Sequence, residues 1–152
     1  MERSPSVPSS EPQISLGVLL LVSYRHMEQR ILNSVVAAGY PITMAQARLF
    51  QRIDHAGSRL TRLAEAAQVT KQTAGFLVDQ LEAGGYVDRV VDPSDGRARL
   101  VRITARGNQV VTVASAEHDR IQAEWTDHLG TQDTDELRRI LEHLREITDP
   151  YS

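Results

Sequence analysis

The sequence predicts a mostly α fold with a small β-hairpin wing: a winged helix-turn-helix flanked by N- and C-terminal dimerisation helices. Three observations predict it. First, Asp92-Pro93-Ser94-Asp95-Gly96 is a run of turn-forming residues between two alternating segments, 86–91 and 97–103, as in a hairpin. Second, two short helical patterns, 58–67 and 71–83, are joined by three residues immediately before that hairpin, the spacing of a helix-turn-helix. Third, long helical patterns at both ends, about 14–38 and 105–148, enclose the unit and have no independent core.

Each element follows from its residues. In the first helix Ile14, Val18, Leu21 and Val22 are continued by Ile31, Leu32, Val35 and Val36. The apolar surface is wider than one stripe, so the helix has two sides to bury, and part of it is expected to pack against another chain. A plain core helix is the alternative. Gly39-Tyr40-Pro41 breaks it. Thr43 and Gln46 have capping-box spacing before a second helix over 45–54. The third helix, 58–67, turns Leu60, Leu63 and Ala64 inward, and Thr70 caps the fourth, 71–83, whose Ala74, Leu77, Val78 and Leu81 share one face. Thr104 caps a fifth helix running to about His128. Asp133 with Glu136 is expected to cap a sixth, striped by Leu137, Ile140, Leu141, Leu144 and Ile147. Residues 1–12, rich in Ser and Pro, read as a flexible arm, and 13–152 as one domain with its winged unit at about 43–104.

Composition excludes several classes. The 152 residues contain no cysteine, so disulfides and thiol-based redox sensing are ruled out. No apolar run approaches the roughly 20 residues of a membrane span, and the start lacks the pattern of a signal peptide, so a cytoplasmic protein is expected. The five histidines do not cluster at metal-ligand spacing, and no metal or cofactor is expected. The sequence holds no Ser/His/Asp or Cys/His arrangement, Gly-rich phosphate loop or paired carboxylates in an apolar setting, so an enzyme is not expected. The net charge of −3 is unevenly spread: residues 59–106 carry +2 and residues 107–152 carry −6. DNA feels the local field, screened beyond about 10 Å, so an acidic far end does not oppose a basic wing.

The fourth helix would present its N-terminal residues to base edges in a major groove. Those residues are Thr70, Lys71, Gln72 and Thr73. Gln suits adenine, Lys suits guanine or phosphate, and a Thr methyl suits thymine. Arg97, just past the hairpin turn, suits a narrow minor groove, with Asp95 expected to accept hydrogen bonds from Arg97 or Arg99 and fix the guanidinium direction. Arg59 and Arg62 are candidate contacts to the DNA backbone. Against each stands the plainer role of a capping or solvated surface residue.

These residues resemble the MarR (multiple antibiotic resistance regulator) family of bacterial transcription factors. The resemblance rests on Leu63-Ala64, on the run from Leu77 through Gly84-Gly85-Tyr86-Val87, and above all on Asp92-Pro93-Ser94-Asp95-Gly96-Arg97 continuing to Ile103-Thr104-Ala105-Arg106-Gly107. It implies an obligate homodimer with both chain ends interleaved, bound to double-stranded DNA at a pseudo-palindromic operator. It implies that Arg97 is the wing-tip minor-groove residue and Asp95 its orienting partner. It also implies a crevice for a small aromatic or phenolic ligand, lined by the first, second and fifth helices, for which Tyr24, His26, Arg52 and His55 are candidates. Phe76 departs from the polar or basic residue often found there in the family. The resemblance thus predicts a repressor released by such a ligand. The competing reading is a winged-helix module that contacts protein instead of DNA, which would not need Arg97 and Arg99 beside a polar recognition helix.

Overall fold

The computed structural model describes residues 12–149 and Tyr151. The arm expected over 1–12 therefore lies outside the described residues, apart from Pro12. The element order is α1 (Leu16–Ala37), α2 (Met44–Phe50), α3 (Leu60–Ala66), α4 (Lys71–Ala83), β1 (Val87–Asp92), β2 (Asp95–Ile103), α5 (Ala105–Leu129) and α6 (Thr131–Thr148). It is a mostly helical fold with one two-stranded antiparallel hairpin.

Local signals start four of the six helices. Ser15, Thr43, Thr70 and Thr104 each accept a hydrogen bond from a first-turn amide, and Thr43 and Gln46 complete a capping box. Three expected boundaries are corrected by the tertiary structure. Helix α2 stops at Phe50, because the amides of Arg52 and Ile53 bond three residues back and tighten the chain into a turn. Helix α3 begins at Leu60, because the backbone of Ser58 is taken by β2: Ser58 and Val101 exchange two amide–carbonyl bonds of 2.9 and 2.8 Å. Helix α6 begins at Thr131 with Gly130 as its N-cap, so Asp133 and Glu136 form no cap; Gly130, at φ +89°, lets the chain leave α5 and re-enter a helix within one residue.

The core gathers Leu49 and Phe50 of α2, Leu63 and Ala64 of α3, and Ala74, Leu77, Val78 and Leu81 of α4 with Tyr86, Val87 and Val101 of the wing. Val35 of α1 and Val110 of α5 complete it. The outer helices are tied on by charge. Arg30 of α1 pairs with Glu117 (2.8 Å) and with Glu124, both on α5, and Arg48 of α2 pairs with Glu28 of α1 (2.6 Å). The apolar residues of α6 find no such cover: Leu137, Ile140, Leu141, Leu144 and Ile147 are all exposed, as are Leu16, Val18, Leu19, Leu20, Leu21 and Val22 of α1.

Candidate nucleic-acid interface

Helix α4 rests on α3 through its buried face, which leaves Lys71, Gln72, Thr73 and Phe76 exposed. Thr70 Oγ1 accepts from the Thr73 amide (3.1 Å) and donates to Thr73 Oγ1 (2.9 Å). Two of the four sequence candidates on this turn are thus occupied in shaping the helix start, while Lys71 and Gln72 point outward with no internal hydrogen bond among the described residues. The α4 N-terminus also presents backbone amides to any approaching anion.

The wing is an irregular hairpin. Pairing is regular from Val87↔Ile103 to Val91↔Arg99, then jumps to Asp92↔Asp95. Gly96, Arg97 and Ala98 are left without register partners and bulge from the tip. The sequence reading of Asp95 needs correction here. Its Oδ1 accepts a hydrogen bond from the backbone N–H of Arg97 (3.0 Å), so it fixes the loop that carries Arg97 and not the guanidinium. A carboxylate two residues from its partner reaches the main chain of a tight turn more readily than a long side chain extended into solvent.

The residue that secures the wing was missed by sequence reasoning. Asp92 is buried; its Oδ1 accepts from the hydroxyl (2.7 Å) and amide (2.8 Å) of Ser94, and its Oδ2 accepts from Arg59 Nε (2.8 Å). These bonds hold its carboxyl down to about 2. Arg59, a candidate phosphate contact, is therefore also the strut between the start of α3 and the wing, with a second, longer approach to Asp95 (3.9 Å). Arg62 lies over the Tyr151 ring, 5.6 Å from its centroid.

The base of the wing is equally built. Thr104 Oγ1 donates to the Gly85 carbonyl (2.6 Å) and accepts from the Gly107 amide (3.1 Å). Arg106 donates to the Gly84 carbonyl (3.0 Å), and its guanidinium lies 5.1 Å from the Tyr40 centroid and 4.9 Å from that of Tyr86. Gly107 abuts the Tyr86 carbonyl so closely that a Cβ there would lie 2.2 Å from the oxygen. The run 103–107 that carried the family resemblance is thus the joint between wing and α5.

A cavity of about 540 Å³ lies between α1, α2 and α5, lined mainly by apolar side chains such as Ile31, Leu32, Val110 and Val111. Tyr24 and His55 are in its wall. His26 and Arg52 are not: His26 is exposed on α1, and Arg52 is drawn toward the end of α6 by Asp149 (3.1 Å). Among the polar wall groups that sequence reasoning missed are Glu28 and Arg48. Their ion pair at the wall lowers the Glu28 carboxyl below its ordinary range, chiefly through the Arg48 hydrogen bond. Among the described residues no group of three or more His, Asp or Glu could hold a metal ion, and no helix is long and apolar enough to cross a membrane.

Comparison with known proteins agrees with this geometry. The MarR family profile matches residues 40–98, from Tyr40 to the wing tip. The transcriptional regulator HosA of Escherichia coli O111:H- is 29% identical over 91 residues, covering 60% of this chain and 67% of that protein. Among solved structures, the transcriptional regulator Tm0710 of Thermotoga maritima superposes with a TM-score of 0.61 at 26% identity, covering 86% of this chain and 92% of that one. The crystal structure of MarR superposes with a TM-score of 0.75 at 22% identity, over 91% and 94% of the two chains. With its capped recognition helix and anchored wing, this chain has the fold of the solved MarR-type regulators, and its residues 40–98 are similar to the MarR family of transcriptional regulators.

Proposed function

We propose that the protein is a homodimeric repressor that reads a pseudo-palindromic operator and is released from it by a small aromatic or phenolic ligand. The observation that carries the DNA reading is how the basic side chains are sorted. Arg59, Arg89 and Arg102 are each neutralised by a carboxylate of the winged unit, Arg59 by Asp92, Arg89 by Asp79 and Glu82, and Arg102 by Asp88. Lys71, Arg97 and Arg99 have no ion-pair partner among the described residues and are exposed on the helix start and the wing. In this reading Lys71 and Gln72 enter the major groove, and Arg97 enters the adjacent minor groove. Arg99 meets phosphate.

Homodimerisation is supported by the exposed apolar residues of α1 and α6. A single chain leaves both faces in water, and a second copy supplies matching ones. Ligand control is supported by the cavity. Its wall includes α2, which reaches α4 through Gln46 Nε2 donating to Gln80 Oε1 (3.0 Å). A ligand that displaces α2 therefore moves the recognition helix, provided it binds the two arrangements with different affinity, commonly by about 1–3 kcal/mol.

The test is selection of genomic fragments by the purified protein across a salt series, followed by light scattering of the complex and titration with substituted phenols and benzoates. An enriched inverted repeat, bound by two copies and released by a member of the panel, is the expected result. Salt-sensitive binding with no enriched sequence overturns specific reading. The absence of any bound fragment favours the protein-contact module.

A further inference from the structure

The recognition helix carries one large apolar side chain where none is needed for folding. Phe76 is 62% exposed, whereas the only other phenylalanine, Phe50, is 7% exposed and sits in the core. Among the described residues the Phe76 ring meets no other aromatic ring and no guanidinium. It stands on the outer face of α4, four residues after Gln72 and three after Thr73, so it continues their row along the helix. The next outward residues are already engaged: Asp79 with Arg89 (2.7 Å) and Gln80 with Gln46 (3.0 Å). Lys71, Gln72 and Phe76 are thus the unengaged side chains of that face.

We propose that Phe76 is a specificity-determining residue that reads the 5-methyl group of a thymine in each half-site. The inference rests on the DNA-binding reading above and names a base that reading leaves open. A phenyl ring neither donates nor accepts hydrogen bonds, and the thymine methyl is the apolar group on the major-groove edge. The ring lies about 6 Å further along the helix axis than Gln72. That separation lets the two side chains address different base edges.

The test uses the full-length protein on its enriched inverted repeat, with each thymine replaced in turn by uracil, which removes the methyl and nothing else. Wild type is expected to show one position per half-site where the change weakens binding about four-fold, and about fifteen-fold when both half-sites are changed. Phe76→Ala is expected to bind the thymine DNA as wild type binds the uracil DNA, and to be indifferent to that replacement. Its unfolding midpoint should not fall, since the ring makes no core contact. Arg97-dependent binding of a selected sequence with no thymine position whose uracil sensitivity disappears in Phe76→Ala overturns the proposal alone. Loss of affinity in Phe76→Ala that is equal for thymine and uracil DNA also overturns it. Failure to select any DNA overturns the functional reading and this proposal with it.

Discussion

Asp92 receives hydrogen bonds from the Ser94 hydroxyl, the Ser94 amide and Arg59, and its carboxyl is held at about 2 against an ordinary value of 3.8. A carboxyl lowered by folding contributes stability that is complete above its unfolded value and lost as pH falls toward its folded value. The stability difference between wild type and Asp92→Asn should therefore be constant above about pH 5. It should shrink between pH 3.8 and about 2, read by denaturant unfolding at each pH. A difference that grows on acidification would remove Asp92 from the wing's anchorage. Arg97 makes no comparable internal contact, so Arg97→Ala should leave stability unchanged. It should weaken operator binding by about 1–3 kcal/mol and lower the salt slope by about one, measured by titration across salt. Unchanged affinity would dismiss the wing tip as a DNA contact.

Among the elements, the wing and α4 depend on glycines in opposite ways. Gly107 sits in the first turn of α5 with the Tyr86 carbonyl and Ile103 Cγ2 against it. Gly107→Ala should destabilise the protein by about 3 kcal/mol, because the nearest obstacle is backbone and cannot rotate away. Gly75, inside α4, meets only Leu60 Cδ2 at 3.8 Å, an ordinary contact distance. Gly75→Ala should therefore stabilise by about 1 kcal/mol, the usual helix-interior difference, seen as a raised urea midpoint. A loss of stability would show that α3 and α4 pack more tightly than this distance indicates. The starts of α2, α4 and α5 were legible in the sequence because a capping Thr acts within three residues of itself. The start of α3 was not, since the backbone of Ser58 bonds a strand residue 43 positions later, at Val101.

For the whole molecule, the exposed rows of α1 and α6 are the surfaces on which the proposed homodimer rests. Leu141 lies mid-row on α6, where the chain itself leaves it exposed. Leu141→Glu should leave the winged unit folded and convert a dimer to a monomer in light scattering, with operator affinity falling because two half-sites are no longer bound together. A Leu141→Glu protein that remains dimeric would move the interface off this face.

The sequence by itself determined the order of helices and hairpin, the Thr caps of α2, α4 and α5, the turn at 92–96 and the buried face of the recognition helix. All of these depend on neighbours within about one helical turn or one hairpin. Tertiary structure alone decided which charges remain available. Arg59 and Arg97 are indistinguishable as basic residues near a wing, yet one is bonded to a carboxylate 33 residues away and the other bulges free at the tip. It likewise separated Tyr24 and His55, which wall the cavity, from His26 and Arg52, which do not. Helical periodicity tells which side chains share a face, but what that face meets is fixed only when distant segments pack.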